Sequence, residues 1–162
     1  MTDSSGAPDL EWYGKAAAIY EVVVGENPAD LDARQNAAFA HLELADALAA
    51  CGQVARSEEF KQKAAAITKG FPIVSHACAQ MYGMFAREIL KAPVKLDAAS
   101  RSRLQERYAG HVMPLLRQAV DDGFKGSEQI RNDPAFAPLH ADPQFLLILS
   151  DAAFPSSPFF RQ

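Results

Sequence analysis

Four histidines and two cysteines are the side chains of this sequence best suited to metal binding or nucleophilic chemistry. His76 and Cys78 form the closest such pair, with one residue between them. Helix positions i and i+2 point about 200° apart, so the two side chains cannot both face one ion. A reactive thiolate needs a base or a positive field beside it, and no such partner is identifiable for Cys51 or Cys78. We therefore predict no metal site and no catalytic thiol.

Two pairs of adjacent carboxylates, Glu58–Glu59 and Asp121–Asp122, raise the question of acid–base catalysis. Neighbouring helix positions point about 100° apart, which keeps two such carboxylates from acting on one group. Solvated helix surface and helix ends explain both pairs better. The sequence therefore predicts a protein that is not an enzyme and needs no cofactor. An all-α enzyme would require a polar site that residue spacing does not reveal.

The overall composition disfavours several classes of partner and of cellular location. The 162 residues carry a formal net charge of −4, which disfavours a nucleic-acid partner. No apolar run approaches the roughly 20 residues that span a bilayer, so no membrane partner is predicted. The opening MTDSSGAPDLEW lacks the basic and apolar regions of a secretory signal. Two cysteines make no disulfide framework, and we expect free, mostly buried thiols in the reducing cytoplasm.

Apolar residues recur at three- and four-residue steps through five long segments, the pattern of amphipathic helices. Prolines and glycines separate the segments. The predicted helices span residues 9–26, 30–50, 55–69, 73–90 and 97–122. Pro114 lies inside the fifth helix and predicts a kink, because proline cannot donate a hydrogen bond to the carbonyl of Gly110. No segment shows the alternation of a β-strand, so the predicted fold class is all-α.

The last third of the chain predicts two short helices. Asp133–Pro134 and Asp142–Pro143 each open a run with apolar residues at helical spacing. Asp suits an N-cap and Pro the first helical position. We expect these helices to cover the last apolar face of the longer ones, with Phe154 packed beneath them. For Phe159 and Phe160, local packing, contact with a second copy and disorder remain open.

Small and large apolar residues recur in three units along the chain. The positions are Ala16, Tyr20 and Pro28; then Leu44, Ala45, Leu48, Gly52, Ser57 and Ala64; then Val112, Leu116, Ala119 and Phe124. This order resembles that of tetratricopeptide (TPR) repeats, in which helix pairs stack into a solenoid. Small residues let the paired helices approach closely, and the large residues fill the groove between them.

Residues 107–155 carry a second resemblance. Its motif is a Leu-Leu-Arg-x-Ala-Val helix, a Gly-aromatic turn and two Asp-Pro-x-Phe steps. The matching residues are Leu115, Leu116, Arg117, Ala119, Val120, Gly123, Phe124, Asp133, Pro134, Phe136, Pro138, Leu139, Asp142, Pro143 and Phe145. This segment is similar to the closing TPR region of large, planctomycete-type bacterial serine/threonine kinases and related regulators, although His140 stands where that family usually has Arg. The resemblance implies a TPR module alone, because the chain has none of the kinase catalytic motifs.

The patterns and the resemblance together predict an all-α, TPR-like right-handed helical solenoid. It would contain two to three helix pairs and short C-terminal capping helices. The predicted organisation is a flexible N-terminus over residues 1–8, helical repeats over 9–125, capping helices over 126–155 and a tail over 156–162.

In stacked helix pairs, the first helix of each pair lines a concave groove. Here those are the predicted helices 30–50 and 73–90. The polar residues expected to line the groove are Arg34, His41, Asp46, Gln80 and Arg87. We predict a non-catalytic protein–protein interaction module that binds a peptide or a partner domain there. The resemblance implies the docking or sensory part of a bacterial signalling protein.

Two alternatives to a peptide-binding groove remain open. A small-ligand sensor would need a blind pocket lined by Met81, Met84 and Phe85. An assembly element would form a homodimer through the first helix or through the Phe159–Phe160 end. A receptor for chaperone tails is disfavoured, because Leu42 and Asp46 occupy the positions where such TPR proteins carry a carboxylate clamp.

Overall fold

The computed structural model describes residues 9–89 and 97–154, and every regular element within those ranges is helical. The α-helices are α1 (Leu10–Glu26), α2 (Leu31–Ala50), α3 (Val54–Thr68), α4 (Pro72–Glu88), α5 (Ala98–Asp121), α6 (Ser127–Asn132) and α7 (Pro143–Ala153), and a 3-10 helix spans Pro134–Leu139. The all-α prediction is thus confirmed for the described residues. Residues 1–8 and the Phe159–Phe160 tail, for which predictions were made, lie outside them.

The helix ends follow from the residues that punctuate the sequence. Asp9, Asp30 and Asp97 accept hydrogen bonds of 2.8–2.9 Å from backbone N–H groups in the first turns of α1, α2 and α5. Gly52 and Gly123 follow α2 and α5 with φ angles of 76° and 104°, where a residue without a Cβ is favoured. All five predicted long helices are present with ends within about two residues of the prediction.

The α5 helix includes Pro114, as predicted, and continues to Asp121. One element differs from the sequence prediction: a short helix, α6, precedes the first Asp-Pro step. It has six residues, no side-chain cap and one buried residue, Ile130, so its periodic signal is weak. Among the helices that the structure describes, none has both the length and the apolar character needed to cross a bilayer.

The chain divides between Lys69 and Gly70 into two compact units, and the boundary falls inside the predicted repeat region. In unit 1, α2 packs against both α1 and α3. The chain direction alternates, since Arg34 of α2 contacts the end of α3 whereas His41 contacts its middle. Ala17, Ala40, Leu44 and Leu48 form a buried cluster, against which Leu10, Tyr13, Tyr20 and Phe60 pack.

In unit 2, α4 and α5 form an antiparallel pair. Tyr82 contacts the His111 ring at 4.6 Å, and Phe85, one turn later, contacts Tyr108 at 5.6 Å. The short helices add Ile130, Phe136 and Phe145, all fully buried, to the apolar core. The prediction that Phe154 packs beneath them is wrong: its side chain is 67% exposed. Phe154 follows the last turn of α7 and has an extended backbone. Its side chain therefore does not continue the buried face of the helix.

Unit 1 depends on a small side chain at Ala45, which is completely buried in α2. We expect Ala45→Leu to lower the free energy of unfolding by about 1–3 kcal/mol, because the added atoms must displace packed neighbours. Ala66→Leu on the exposed side of α3 is the matched control and should have little effect. Urea unfolding followed by circular dichroism measures both. Equal stability of the two variants would show that Ala45 does not lie at a close helix contact.

Candidate interaction site

A cleft of about 220 Å³ follows α2 between α1 and α3 in unit 1. We call it the His41 cleft, after the residue at its floor. It is lined by Leu10, Gly14, Ala17, Ala18, Glu21, His41, Leu44, Leu48, Arg56, Phe60 and Lys63. All three helices of the unit contribute to it, and its middle is mostly apolar.

Small residues on α1 give the cleft its width. Gly14, Ala17 and Ala18 are the α1 side of its middle section. A Cβ atom added to Gly14 would have no neighbouring atom within 4 Å, so the space beside it is open. Across the cleft, the Lys63 ammonium lies 3.2 Å from the Glu21 carboxylate and joins α3 to α1. The cleft is therefore open along its middle and bridged at one end.

His41 is the polar group at the floor. Its side chain is fully buried and stacks on Phe60 with ring centroids 5.7 Å apart. Its Nε2 atom lies 3.2 Å from Glu21 Oε1, but not in the direction that a hydrogen bond requires. Within the described part of the chain, neither ring nitrogen of His41 has a hydrogen-bond partner.

Burial lowers the pKa of His41, and the Lys63 charge lowers it further, whereas the Glu21 carboxylate acts in the opposite direction. The ring is therefore neutral at pH 7 and offers one N–H donor and one acceptor nitrogen. A buried polar group without a partner costs about 1–3 kcal/mol. A ligand group that hydrogen-bonds to the ring would recover part of this cost.

The two ends of the cleft differ in charge. Glu21, His41 and Lys63 lie together at one end. Arg56 lines the other end, because the antiparallel course of α3 brings its first turn towards the end of α2. The Arg56 guanidinium donates a 2.7 Å hydrogen bond to Gln53 of its own helix start. This arrangement suits an apolar group with polar atoms on either side of it.

Of the five predicted groove residues, His41 alone lines this cleft. The Arg34 side chain instead donates to the carbonyl oxygens of Pro28 and, at 2.8 Å, of Ile67. It thereby ties the turn before α2 to the last turn of α3. Asp46 is half-buried on α2 and does not line the cleft.

The other two predicted groove residues, Gln80 and Arg87, hold the chain's own 3-10 helix. Gln80 donates a 2.7 Å hydrogen bond to Asp133, and Arg87 donates one of 3.1 Å to the carbonyl of Pro134. Gly83 lies between them on α4, where an added Cβ atom would come within 2.7 Å of the Ala135 carbonyl oxygen. This face of α4 is therefore a docking surface for residues 133–139.

The other histidine and the two cysteines considered for metal binding or catalysis lie in surroundings that do not favour such chemistry. His76 is buried and stacks on Phe124 with centroids 4.4 Å apart. Burial raises the pKa of the Cys78 thiol to about 12, which keeps it protonated at neutral pH. Cys51 is exposed at the end of α2, so the expectation of mostly buried thiols is confirmed for Cys78 and wrong for Cys51. Residues 9–89 and 97–154 contain no group of three or more potential ligands placed to hold a metal ion.

The residues named for a small-ligand pocket differ in burial. Met81 is half-buried, whereas Met84 and Phe85 are exposed by 47% and 39%. The Phe85 ring lies against Tyr108 of α5.

Sequence reasoning did not single out two charged residues that line the cleft, Glu21 and Lys63. Both lie next to the apolar stripes of their helices, where a charged residue usually marks the solvated face. A signal was nevertheless present: Glu21 follows the inward-facing Tyr20, and Lys63 precedes the buried Ala64. Charged residues at such borders reach the contact between two helices.

Comparison with known proteins adds no assignment. No protein-family model matches the chain, and neither the curated proteins nor the solved structures gave a match. The resemblance to TPR regions therefore stays a prediction from the sequence.

The lowered pKa of His41 predicts a loss of stability in acid. The folded state binds a proton less readily than the unfolded chain, whose histidine pKa is about 6.5. The contribution of neutral His41 to the free energy of unfolding is therefore complete above about pH 6.5, and it is lost as the pH falls below that value. We expect His41→Phe, which keeps the stacked ring, to lose less thermal stability than the parent between pH 7.5 and pH 5.

Thermal unfolding at the two pH values measures this difference. Exposed His140 supplies the control, and His140→Phe should retain the parent's acid sensitivity. An identical acid response of His41→Phe and the parent would mean that His41 does not remain neutral in the folded protein.

The close approach at Gly83 predicts that Gly83→Ala destabilises unit 2 by about 1–3 kcal/mol, because the backbone of Ala135 must move. Gly110→Ala in α5 is the control, since a Cβ there meets no atom within 4 Å. Gly110→Ala should stabilise α5 by up to about 1 kcal/mol, because alanine favours the helix more than glycine does. Urea unfolding compares the two, and a stabilised Gly83→Ala would contradict the close packing of the 3-10 helix on α4.

Proposed function

We propose that this protein is a non-catalytic interaction module that binds a segment of a partner protein in the His41 cleft. In this proposal its helix pairs stack as a TPR-like right-handed solenoid, and it serves as the docking part of a cytoplasmic bacterial signalling system. One observation carries the proposal: a fully buried histidine, without hydrogen-bond partners in the described chain, at the floor of an open apolar cleft.

The size of the cleft favours a peptide side chain over a small-molecule ligand. Pockets for drug-sized ligands and cofactors usually enclose about 300–1,000 Å³. The His41 cleft, at about 220 Å³, is smaller and is open along α2. An apolar side chain can enter between Ala18 and Phe60 while the rest of its peptide stays outside, along the rim.

The polar groups of the cleft define the chemistry of the segment. The neutral His41 ring can donate one hydrogen bond and accept another, so a hydroxyl or amide group of the segment would satisfy it once the side chains that cover the ring move aside. Lys63 and Arg56 are the cations on the rim, and Glu21 is the carboxylate. The rim thus has a small excess of positive charge, which favours a segment with an acidic residue.

The same groups support binding rather than catalysis. The described residues that line the cleft include no hydroxyl and no thiol to act as a nucleophile. Its carboxylate, Glu21, is paired with Lys63 at 3.2 Å.

Filling the cleft tests the proposal. Peptides are first selected from a random phage-displayed library on the full chain, and their affinities are measured by fluorescence anisotropy. We expect Gly14→Leu, whose side chain would occupy the open space beside residue 14, to weaken binding by about tenfold or more. Helix propensity favours leucine over glycine, so the variant should remain folded.

Gly25→Leu is the matched control. Gly25 also belongs to α1 and has the same open surroundings, but it does not line the cleft. Its affinities should stay within about twofold of the parent. Selected peptides that bind Gly14→Leu as tightly as the parent would place the binding site elsewhere. Failure to select any peptide would reject the peptide-binding function itself.

A further inference from the structure

The α1 helix has two opposite apolar faces. The inner face packs Leu10, Tyr13 and Tyr20 around buried Ala17. The outer face carries an exposed stripe at helical steps of seven, three and one residues. We call it the outer α1 stripe; it consists of Trp12, Ile19, Val22 and Val23, exposed by 46%, 61%, 60% and 37%.

This stripe is unlike the outer face of an ordinary surface helix, which carries polar residues. Its four side chains are apolar, and half-buried Ala16 lies between Trp12 and Ile19. Apolar patches of this kind mark protein–protein contacts. The stripe uses none of the residues that line the His41 cleft.

We propose that the outer α1 stripe packs against the same stripe of a second copy of this chain. The two helices lie antiparallel about a two-fold axis that passes between residues 20 and 21. A two-fold contact is self-complementary, so a single apolar stripe provides both halves of the interface.

Charge complementarity selects both the second copy and the antiparallel direction. Lys15 and Glu26 lie on the same side of α1 as the stripe and flank Ile19, Val22 and Val23, 11 residues or about three turns apart. In the antiparallel arrangement Lys15 of each copy faces Glu26 of the other, while Ile19 faces Val22. A parallel arrangement would bring like charges together at both ends.

The intrahelical partner of Lys15 does not oppose this arrangement. Lys15 pairs with Glu11 one turn earlier on the same helix, but both side chains are at least 70% exposed. Exposed pairs of this type hold weakly. Lys15 can therefore bridge to Glu26 of the second copy while it remains close to Glu11.

The proposed interface is small. One helix face buries less than the roughly 800 Å² per partner of a standard protein–protein interface. We therefore expect a reversible dimer with a dissociation constant in about the micromolar range. This inference stands independently of the proposed peptide binding, because it concerns the opposite side of α1.

Sedimentation equilibrium of the full chain from about 1 to 300 µM tests the dimer. The parent should change from the monomer mass of 17.6 kDa towards twice that value as its concentration rises. Ile19→Glu should remain monomeric throughout, with an unchanged circular dichroism spectrum. Val54→Glu, at an exposed apolar position on α3, is the matched control and should dimerise like the parent.

A charge exchange tests the orientation. Lys15→Glu should weaken the dimer by about tenfold, and adding Glu26→Lys to the same chain should restore it, because opposite charges again face each other. A parent that stays monomeric at every concentration would overturn the proposal. So would a dimer that persists in Ile19→Glu, or a charge-exchanged double variant as weak as the single one.

Discussion

Alanine at the helix contacts of α2 is the constraint on which unit 1 depends. Six of the buried residues of α2 are Ala33, Ala37, Ala38, Ala40, Ala45 and Ala47. Side chains of this size let both neighbouring helices approach α2 closely. His41 of α2 and Phe60 of α3 are bulky side chains that line the cleft beside α1. The cleft and the burial of His41 are thus two results of the same packing.

The helices could be predicted from the sequence because their ends are set by local chemistry. Asp N-caps, Asn27–Pro28 and the glycines after α2 and α5 each act within a few residues. The direction of the side chains on α2 could not be predicted in the same way. Alanine occurs on nearly every side of this helix, so the periodic pattern does not identify a buried face. His41 was expected in a groove along the first helices of the pairs, and it lines the cleft between α1 and α3, beside Glu21 and Phe60.

The roles of Gln80 and Arg87 were beyond prediction for a different reason. Their partners, Asp133 and Pro134, lie about fifty residues away in the chain. The Asp133–Pro134 step predicted a helix start, and Asp133 does accept an N-cap hydrogen bond from the backbone N–H of Ala135. The step gave no indication of which surface the helix would cover. Gly83 was the one local signal, since glycine inside a helix often marks the close approach of another backbone.

The side chain of Arg34 has a consequence for how unit 1 opens. The last turn of α3 has no basic residue of its own, and Arg34 of α2 supplies the positive charge to that helix end through the carbonyl of Ile67. Lys125 does the same for the end of α7 through the carbonyl of Phe154. Because Arg34 also holds Pro28, the final turn of α3 cannot fray without loosening the turn that precedes α2. Amide protons in these two segments, distant in sequence, should then exchange with solvent in one shared opening event.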